Sequence, residues 1–455
     1  MKNRKIDFLT IEIGSTITKA NGFFLESDGT FSHVAQGFSA TTVLEGDVEK
    51  GYLSAVAELE KTSGLKTDSA EILVNSSAAG GLKMTVHGLT YNMTARAAKE
   101  ASLGAGAIVK MLTAGQLCDS DLEEIIALKP NLILLAGGVD FGERDIVIRN
   151  AQKIASIKLS VPVIYAGNVA VKKQITRIFT EAGIELFCAP NVFPDVDILN
   201  VDPLRKLIQE AFSRHIIHAP GMEKLAGITK YPVHPTPGVV LRAAELFAEI
   251  EGDILVVDVG GATTDVHSVT EGSNEFKDKL LDPEPRAKRT VEGDLGVYVN
   301  AENVAELDED NCLSGRLSDV KAIPSQPNEK EITRLLCKKA VETAVRRHAG
   351  TIGEIFTPTG RRQIIRGKDL TAVKTIVGTG GALTKVEGGM EILKALTEGS
   401  EKHLLPKQDA KIILDRNYFF SAYGTLSQIK PDEVKLTFKK MRDTNHENSK
   451  TGNLS

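Results

Sequence analysis

Apolar and polar positions along the chain mark out most of its elements. Residues 6–13 form a short apolar run that enters the turn Gly14-Ser15-Thr16, and residues 19–25 read as a returning strand before Ser27-Asp28-Gly29. The chain is therefore expected to open with a β-hairpin. A helix is predicted over 53–59, a strand over 71–75, and one long alanine-rich helix over 94–112. Three strand-like runs, 132–136, 161–166 and 184–188, then alternate with helical segments around 144–157 and 169–182. Such alternation predicts a parallel sheet with crossover helices, an inserted α/β subdomain. Residues 191–203 and 220–237, rich in Pro, Asp and Asn, read as connections, and the apolar run 254–259 opens a second half. The charged stretch 271–289 is expected to be an exposed loop, and the polar tail after Asp443 to be disordered.

Composition narrows the class. A chain of 455 residues, 42% hydrophobic and 25% charged, is large enough for two or three lobes. A formal net charge of −5 with no basic run gives no field to hold a phosphate backbone, which argues against nucleic-acid binding. Cys118, Cys188, Cys312 and Cys337 show no C-x-x-C spacing, so neither a zinc site nor a disulfide framework is expected. No apolar stretch approaches the ~20 residues of a membrane span, and Asp7, Glu12 and Lys19 interrupt any signal sequence. The expected setting is the cytoplasm.

Candidate chemistry sits in three glycine-rich turns that each follow an apolar run. The first is Glu12-Ile13-Gly14-Ser15-Thr16 and the second is Asp258-Val259-Gly260-Gly261-Ala262-Thr263-Thr264-Asp265. Glycines let backbone N–H groups approach a ligand, and the hydroxyls of Ser15, Thr16 and Thr263 suit phosphate oxygens. The neighbouring carboxylates would repel phosphate unless a hydrated Mg²⁺ stood between them. Glu12, Asp258 and Asp265 are thus the candidate catalytic and metal-organising residues. The third turn, Gly378-Thr379-Gly380-Gly381, carries no carboxylate and suits the adenosine end of a nucleotide.

Two acidic strand–turn motifs followed by a neutral one resemble the phosphate-1, phosphate-2 and adenosine motifs of the actin/sugar-kinase/heat-shock-chaperone superfamily. That resemblance implies an α/β fold: two actin-like, ribonuclease H-like ATPase lobes around a nucleotide cleft, binding ATP and Mg²⁺. It also makes Ser421-Ala422-Tyr423-Gly424-Thr425 similar to the second connecting helix, where Gly424 would permit close helix approach. The implied division is residues 1–95 for the first part of the N-terminal lobe and 96–203 for the inserted subdomain. Connecting helices follow at 204–250, the C-terminal lobe at 251–440, and a disordered tail at 441–455. One position departs from the pattern: the first motif usually carries Asp, and Glu12 places its carboxylate outward by about a bond length. Slow or partner-dependent hydrolysis is the expectation.

Further stretches narrow the resemblance. Residues 75–83, 97–107 with Leu103-Gly-Ala-Gly106, 234–246 and 291–296 are similar to the glutamate mutase accessory family called GlmL or MutL, unrelated to the DNA-repair protein of that name. The resemblance implies an ATP-driven reactivating chaperone for an adenosylcobalamin-dependent mutase or aminomutase that exchanges damaged cofactor, with a homodimer among the possible assemblies. A small-molecule kinase, an ATP-dependent hydrolase and a nucleotide-sensing scaffold remain alternatives, with Asp140, Asp258 and Asp265 as candidate bases for the first. Asp265-Val266-His267 only partly matches a cobalt-ligating motif, and His215 and His218 lack a third metal ligand nearby. The Gly137-Gly138-Val139-Asp140 turn reads as a sheet-edge turn of the inserted subdomain, with a further ligand loop as the alternative.

Overall fold

The computed structural model describes residues 4–78, 82–308, 313–358 and 360–447. Cys312 and residues 79–81 of the 75–83 stretch lie outside them. The chain opens with three antiparallel strands, β1 (Phe8–Ile13), β2 (Ile17–Leu25) and β3 (Phe31–Ala40). The expected hairpin is present, and its register sets Glu12 opposite Lys19. Helix α1 (Val48–Ser63) follows, started by Asp47, whose carboxylate accepts from the Glu49 N–H, and ended at Gly64. Strand β4 (Glu71–Ser76) then runs parallel to β1.

An insertion interrupts this sheet. It runs through β5 (Lys83–Gly88), α2 (Arg96–Gly104), β6 (Ile108–Ala114), α3 (Asp119–Leu128), β7 (Leu132–Leu135), α4 (Asp145–Ser156), β8 (Val163–Tyr165), α5 (Lys172–Glu181) and β9 (Leu186–Cys188). All pairs are parallel, in the order β6-β5-β7-β8-β9, which is a doubly wound sheet. The helix predicted over 94–112 is shorter: it stops at Gly104, and Ile108–Ala114 is a strand. Helical spacing of apolar residues could not reveal this, because Ala105-Gly106 turns the chain and β6 pairs with β5 only in three dimensions. The sheet also draws a central strand from ahead of residue 96, where the sequence placed the start of the insertion. After α6 (Asp202–Ile216) and the short α7 (Leu225–Ile228), strand β10 (His234–Pro235) rejoins the first sheet beside β4 and leads into α8 (Thr236–Glu251).

The second lobe repeats the first. Strands β11 (Ile254–Val259), β12 (Thr264–Val269) and β13 (Ala287–Glu292) form an antiparallel meander. Helices α9 (Ala301–Ala305) and α10 (Pro327–His348) and the hairpin β14 (Thr351–Thr357) and β15 (Gly360–Arg366) follow. Strand β16 (Thr375–Thr379) then pairs parallel with β11, and after α11 (Gly381–Thr384) and α12 (Gly389–Ala395), β17 (Lys411–Leu414) pairs parallel with β16. Helices α13 (Phe419–Leu426) and α14 (Pro431–Glu447) end the described chain. The sheet orders are β10-β4-β1-β2-β3 and β13-β12-β11-β16-β17, one topology used twice. Two expectations are corrected. The end of the supposed exposed loop 271–289 is part of β13, with Lys288 and Arg289 buried because each is paired with carboxylates. The tail is helical to Glu447, Phe438 and Met441 being buried; residues 448–455 lie outside the described residues.

One apolar cluster joins the lobes. Phe8, Phe23 and Phe31 from the first sheet and Ile254, Val256 and Val377 from the second meet residues of α8, α13 and α14. Phe247 lies edge-on to both Phe420 and Phe438 at 5.5 and 5.1 Å. Helices α8 and α13 cross at Gly424, whose missing side chain leaves room for the Val239 carbonyl. The close approach read from the sequence is present, between the two helices that lie in the cluster joining the lobes.

Candidate nucleotide site

The duplication carries the first two turns to equivalent places, each joining the first and second strands of its sheet. They face one another: the Thr16 hydroxyl lies 3.8 Å from where a side chain on Gly261 would begin. Within the turns, the Gly14 N–H donates to the Ile17 carbonyl at 3.1 Å and the Gly260 N–H to the Thr263 carbonyl at 2.9 Å. Ser15 stands exposed at the tip of the first. The third turn joins them through Gly380, which has φ 89° and lies so close to Val259 and the Asp258 carboxylate that no side chain fits. Gly381 faces the Tyr418 hydroxyl, 3.8 Å from its own side-chain position. Gly378 lies buried within β16, packed against Leu393 and Leu414, and supports the turn from behind.

The three predicted carboxylates differ in their surroundings. Glu12 is buried; one oxygen accepts from Lys19 Nζ at 2.5 Å and the other from the Ser421 hydroxyl at 2.5 Å. Asp265 accepts from Arg289 Nη2 at 2.6 Å and Nε at 2.8 Å, with the Thr263 hydroxyl at 3.2 Å. Asp258 is in no ion pair among the described residues. Burial, reinforced by the neighbouring Asp265, pushes its carboxyl up to about 7, against the pull of Lys19. Asp415 is likewise pushed up to about 6 by burial, although the Phe420 and Phe419 N–H groups donate to it.

Several residues here escaped the sequence reading. Lys19 is the central cation: burial works against its charge, yet Glu12 holds its pKa above the ordinary lysine value. The ammonium sits 3.9 Å from the centre of the Tyr418 ring. The signal was present, since Lys19 faces Glu12 once the hairpin register is set. Arg289 also donates to the Leu103 carbonyl at 3.0 Å, tying the second sheet to the end of α2. The segment after Gly296 roofs the second turn, with Tyr298 and Val299 N–H groups donating to the Gly261 carbonyl at 2.9 and 2.7 Å. That gives the 291–296 stretch a place beside the site.

Ser421 and Thr425, one turn apart on α13, face the first lobe. Ser421 reaches Glu12, and Asn75 donates through Nδ2 to the Thr425 hydroxyl at 2.7 Å and accepts at Oδ1 from the Thr236 hydroxyl at 2.6 Å. This buried polar seam connects the first turn to both crossing helices. Ser421→Ala strands one Glu12 oxygen away from water and is expected to destabilise the fold by roughly 1–3 kcal/mol. Urea unfolding checks this; an unchanged midpoint would mean that water replaces the hydroxyl.

Among the described residues no three His, Cys, Asp or Glu side chains converge as a metal cage. The donor set suits Mg²⁺ held through water and nucleotide oxygens, with Asp258 the carboxylate free to organise it. His267, of the partial cobalt-ligand match, is fully buried within β12. No helix among the described residues is long and apolar enough to cross a membrane.

A duplicated meander-plus-parallel sheet, with glycine turns from both copies facing one another, defines the actin-like ATPase fold class. The MutL protein family profile matches residues 8–441. Protein MutL of Clostridium tetanomorphum is 36% identical over 459 residues, covering 95% of this chain and 98% of that one. The chain belongs to the MutL family, the glutamate mutase accessory family that its motifs resemble. Weaker structural likenesses include nucleotide-free acetone carboxylase, 13% identical with TM-score 0.43 over 93% of this chain and 70% of that one. Nucleotide-free diol dehydratase-reactivating factor is 12% identical with TM-score 0.37, over 93% and 100%. Xylulose kinase from Bifidobacterium adolescentis is 11% identical with TM-score 0.35, over 95% and 93%. The fold assignment rests on the two sheet orders.

Proposed function

We propose that this chain is an ATP-dependent accessory protein that reactivates an adenosylcobalamin-dependent mutase, glutamate mutase or an aminomutase, by promoting release of damaged cobalamin. The observation that carries the reading is the meeting of the two duplicated turns between the lobes in a chain of the MutL family. Ser15, Thr16, Gly260, Gly261 and Thr263 would hold the phosphates of ATP·Mg²⁺, Gly380 and Gly381 its adenosine end, and Asp258 the hydrated metal. Bound Mg²⁺ would supply charge neutralisation at the phosphates. Lys19, opposite Glu12, is placed to take phosphate charge as well. The seam through Ser421 and Thr425 would pass a change at the first turn to α13 and so to the angle between lobes. Such a partner acts by differential affinity for an opened mutase, and a shift of ~10⁴-fold needs ~5.5 kcal/mol.

A nucleotide-sensing role with little turnover has its own support, because Glu12 and Asp265 are each occupied by a cation. Of the candidate bases for a kinase, Asp140 is engaged within the inserted subdomain by the Val169 N–H and Asn191 and Asp265 by Arg289, which leaves Asp258 alone. The test is phosphate release and recovered activity measured together, with purified protein and cobalamin-inactivated glutamate mutase, in ATP, ADP and a non-hydrolysable ATP analogue. Recovery in ATP alone supports reactivation. Recovery with the analogue assigns the work to binding, and phosphate release without recovery in any panel of mutases would sink the proposal.

A further inference from the structure

The Gly137–Asp140 turn leaves the middle of the inserted sheet and not its edge, and Asp140 is satisfied within the loops by the Val169 N–H and Asn191. Polar groups without partners gather elsewhere. A cavity of about 760 Å³ lies where α6, α8, α13 and the start of β13 meet, within the size range of small-molecule sites. None of the three glycine-rich turns contributes to it. Val239 and Gly424, where α8 and α13 cross, form part of its wall.

Hydrogen bonding and charge together define what it would hold. Gln428 lines the cavity with both its amide oxygen and its amide nitrogen buried and without a partner among the described residues. Arg205, 7% exposed, lines it with an unpartnered Nε. A buried donor or acceptor left unpaired is costly, so such groups beside a cavity mark places where a bound molecule supplies the missing bond.

Cations and carboxylates in the wall are equal in number: Arg205, Lys206, Arg242 and Arg286 against Asp202, Glu245, Glu249 and Glu284. Their charges do not cancel. Glu249 is taken by Lys435 at 2.7 Å, and Glu284 by Lys288 at 3.0 Å and by Arg96, all cations from outside the wall. Asp202 and Glu245 are left to Arg205 and Arg242. Arg286 then has the exposed Glu271 at 3.8 Å, and exposed Lys206 is in no ion pair among the described residues. Burial pushes the His234 imidazole, also in the wall, down to about 4, so it adds no charge at neutral pH. The wall therefore carries a surplus of cationic donors beside an amide that needs both a donor and an acceptor. Phosphate answers the first but brings few donors at neutral pH, whereas a carboxylate bearing amino or amide N–H groups answers both.

We propose that this cavity is a second ligand site, for a small organic acid that carries N–H groups, of the class of an acidic amino acid or short acidic peptide. It stands apart from the proposed function, since no residue of the nucleotide site takes part. Calorimetric titration of the full-length protein with L-glutamate, glutamylglutamate, citrate and inorganic phosphate tests it. Two variants accompany the wild type: Lys206→Ala/Arg242→Ala, at exposed positions, and Gln428→Leu, which keeps a side chain of similar size and removes the amide. The expected result is saturable binding of an N–H-bearing acid, weakened at least about tenfold in either variant, with nucleotide affinity unchanged and the melting temperature of the double variant unchanged. Citrate and phosphate binding as tightly as the N–H-bearing acids overturns the ligand class. No probe binding more tightly than about 10 mM, or binding that both variants leave untouched, overturns the site and assigns the Gln428 amide to ordered water.

Discussion

Replacing Asp258 by asparagine is expected to lower ATP turnover by at least about 10²-fold and to stabilise the fold at neutral pH. The loss follows from its being the one carboxylate of the three not occupied by a cation. The gain follows from linkage. Burial raises its folded pKa to about 7 from 3.8, so the folded state binds a proton that the unfolded state has released. Its contribution to stability is therefore fully present below pH 3.8 and is lost as pH rises through about 7. Asparagine has no charge to bury, and at pH 8 the variant is expected to be more stable by roughly 1–3 kcal/mol. Urea unfolding at pH 5 and pH 8 reads this directly: the wild type should lose more stability over that interval than the variant. Identical pH dependence would mean that water already solvates the carboxylate. Bound Mg²⁺ should reverse the sign for the wild type, because the metal favours the ionised form.

Gly424→Ala should destabilise the protein by about 2–4 kcal/mol, although the same change in an exposed helix interior stabilises by up to about 1 kcal/mol. The difference lies in the partner. A methyl group at 424 would meet the Val239 carbonyl and carbon of α8, backbone atoms that cannot rotate away. Helix α13 would have to withdraw, loosening the cluster of Phe247, Phe420 and Tyr423 and pulling Ser421 from Glu12. The melting midpoint and ATP affinity should therefore fall together. A raised midpoint would show that the helices separate easily and that their close crossing is not needed for stability.

The legible parts of the chain were those in which local pattern and tertiary role coincide. The opening hairpin, the alternation of the insertion and the three turns follow from apolar runs ended by glycine, while the helix at Gly424 was legible only through the superfamily resemblance. The helix over 94–112 was overread because alanine-rich spacing continues past Gly104, while β6 exists only through its pairing with β5. Likewise 271–289 looked like a solvated loop because charge in sequence carries no label for its partner. Lys288 and Arg289 are buried because Glu284, Glu100 and Asp265 surround them.

Residue type thus determined on its own which chemistry the chain could carry: two acidic glycine turns, a neutral one, and hydroxyls beside them. What each carboxylate is free to do was decided by tertiary contacts between residues from 7 to 409 positions apart. Lys19 and Ser421 occupy Glu12, Arg289 occupies Asp265, and Asp258 is left half-buried in no ion pair among the described residues. The strength of a charge in a folded protein is set by burial and by the distance to other charges. Both are properties of the assembled structure and neither is encoded at a single position.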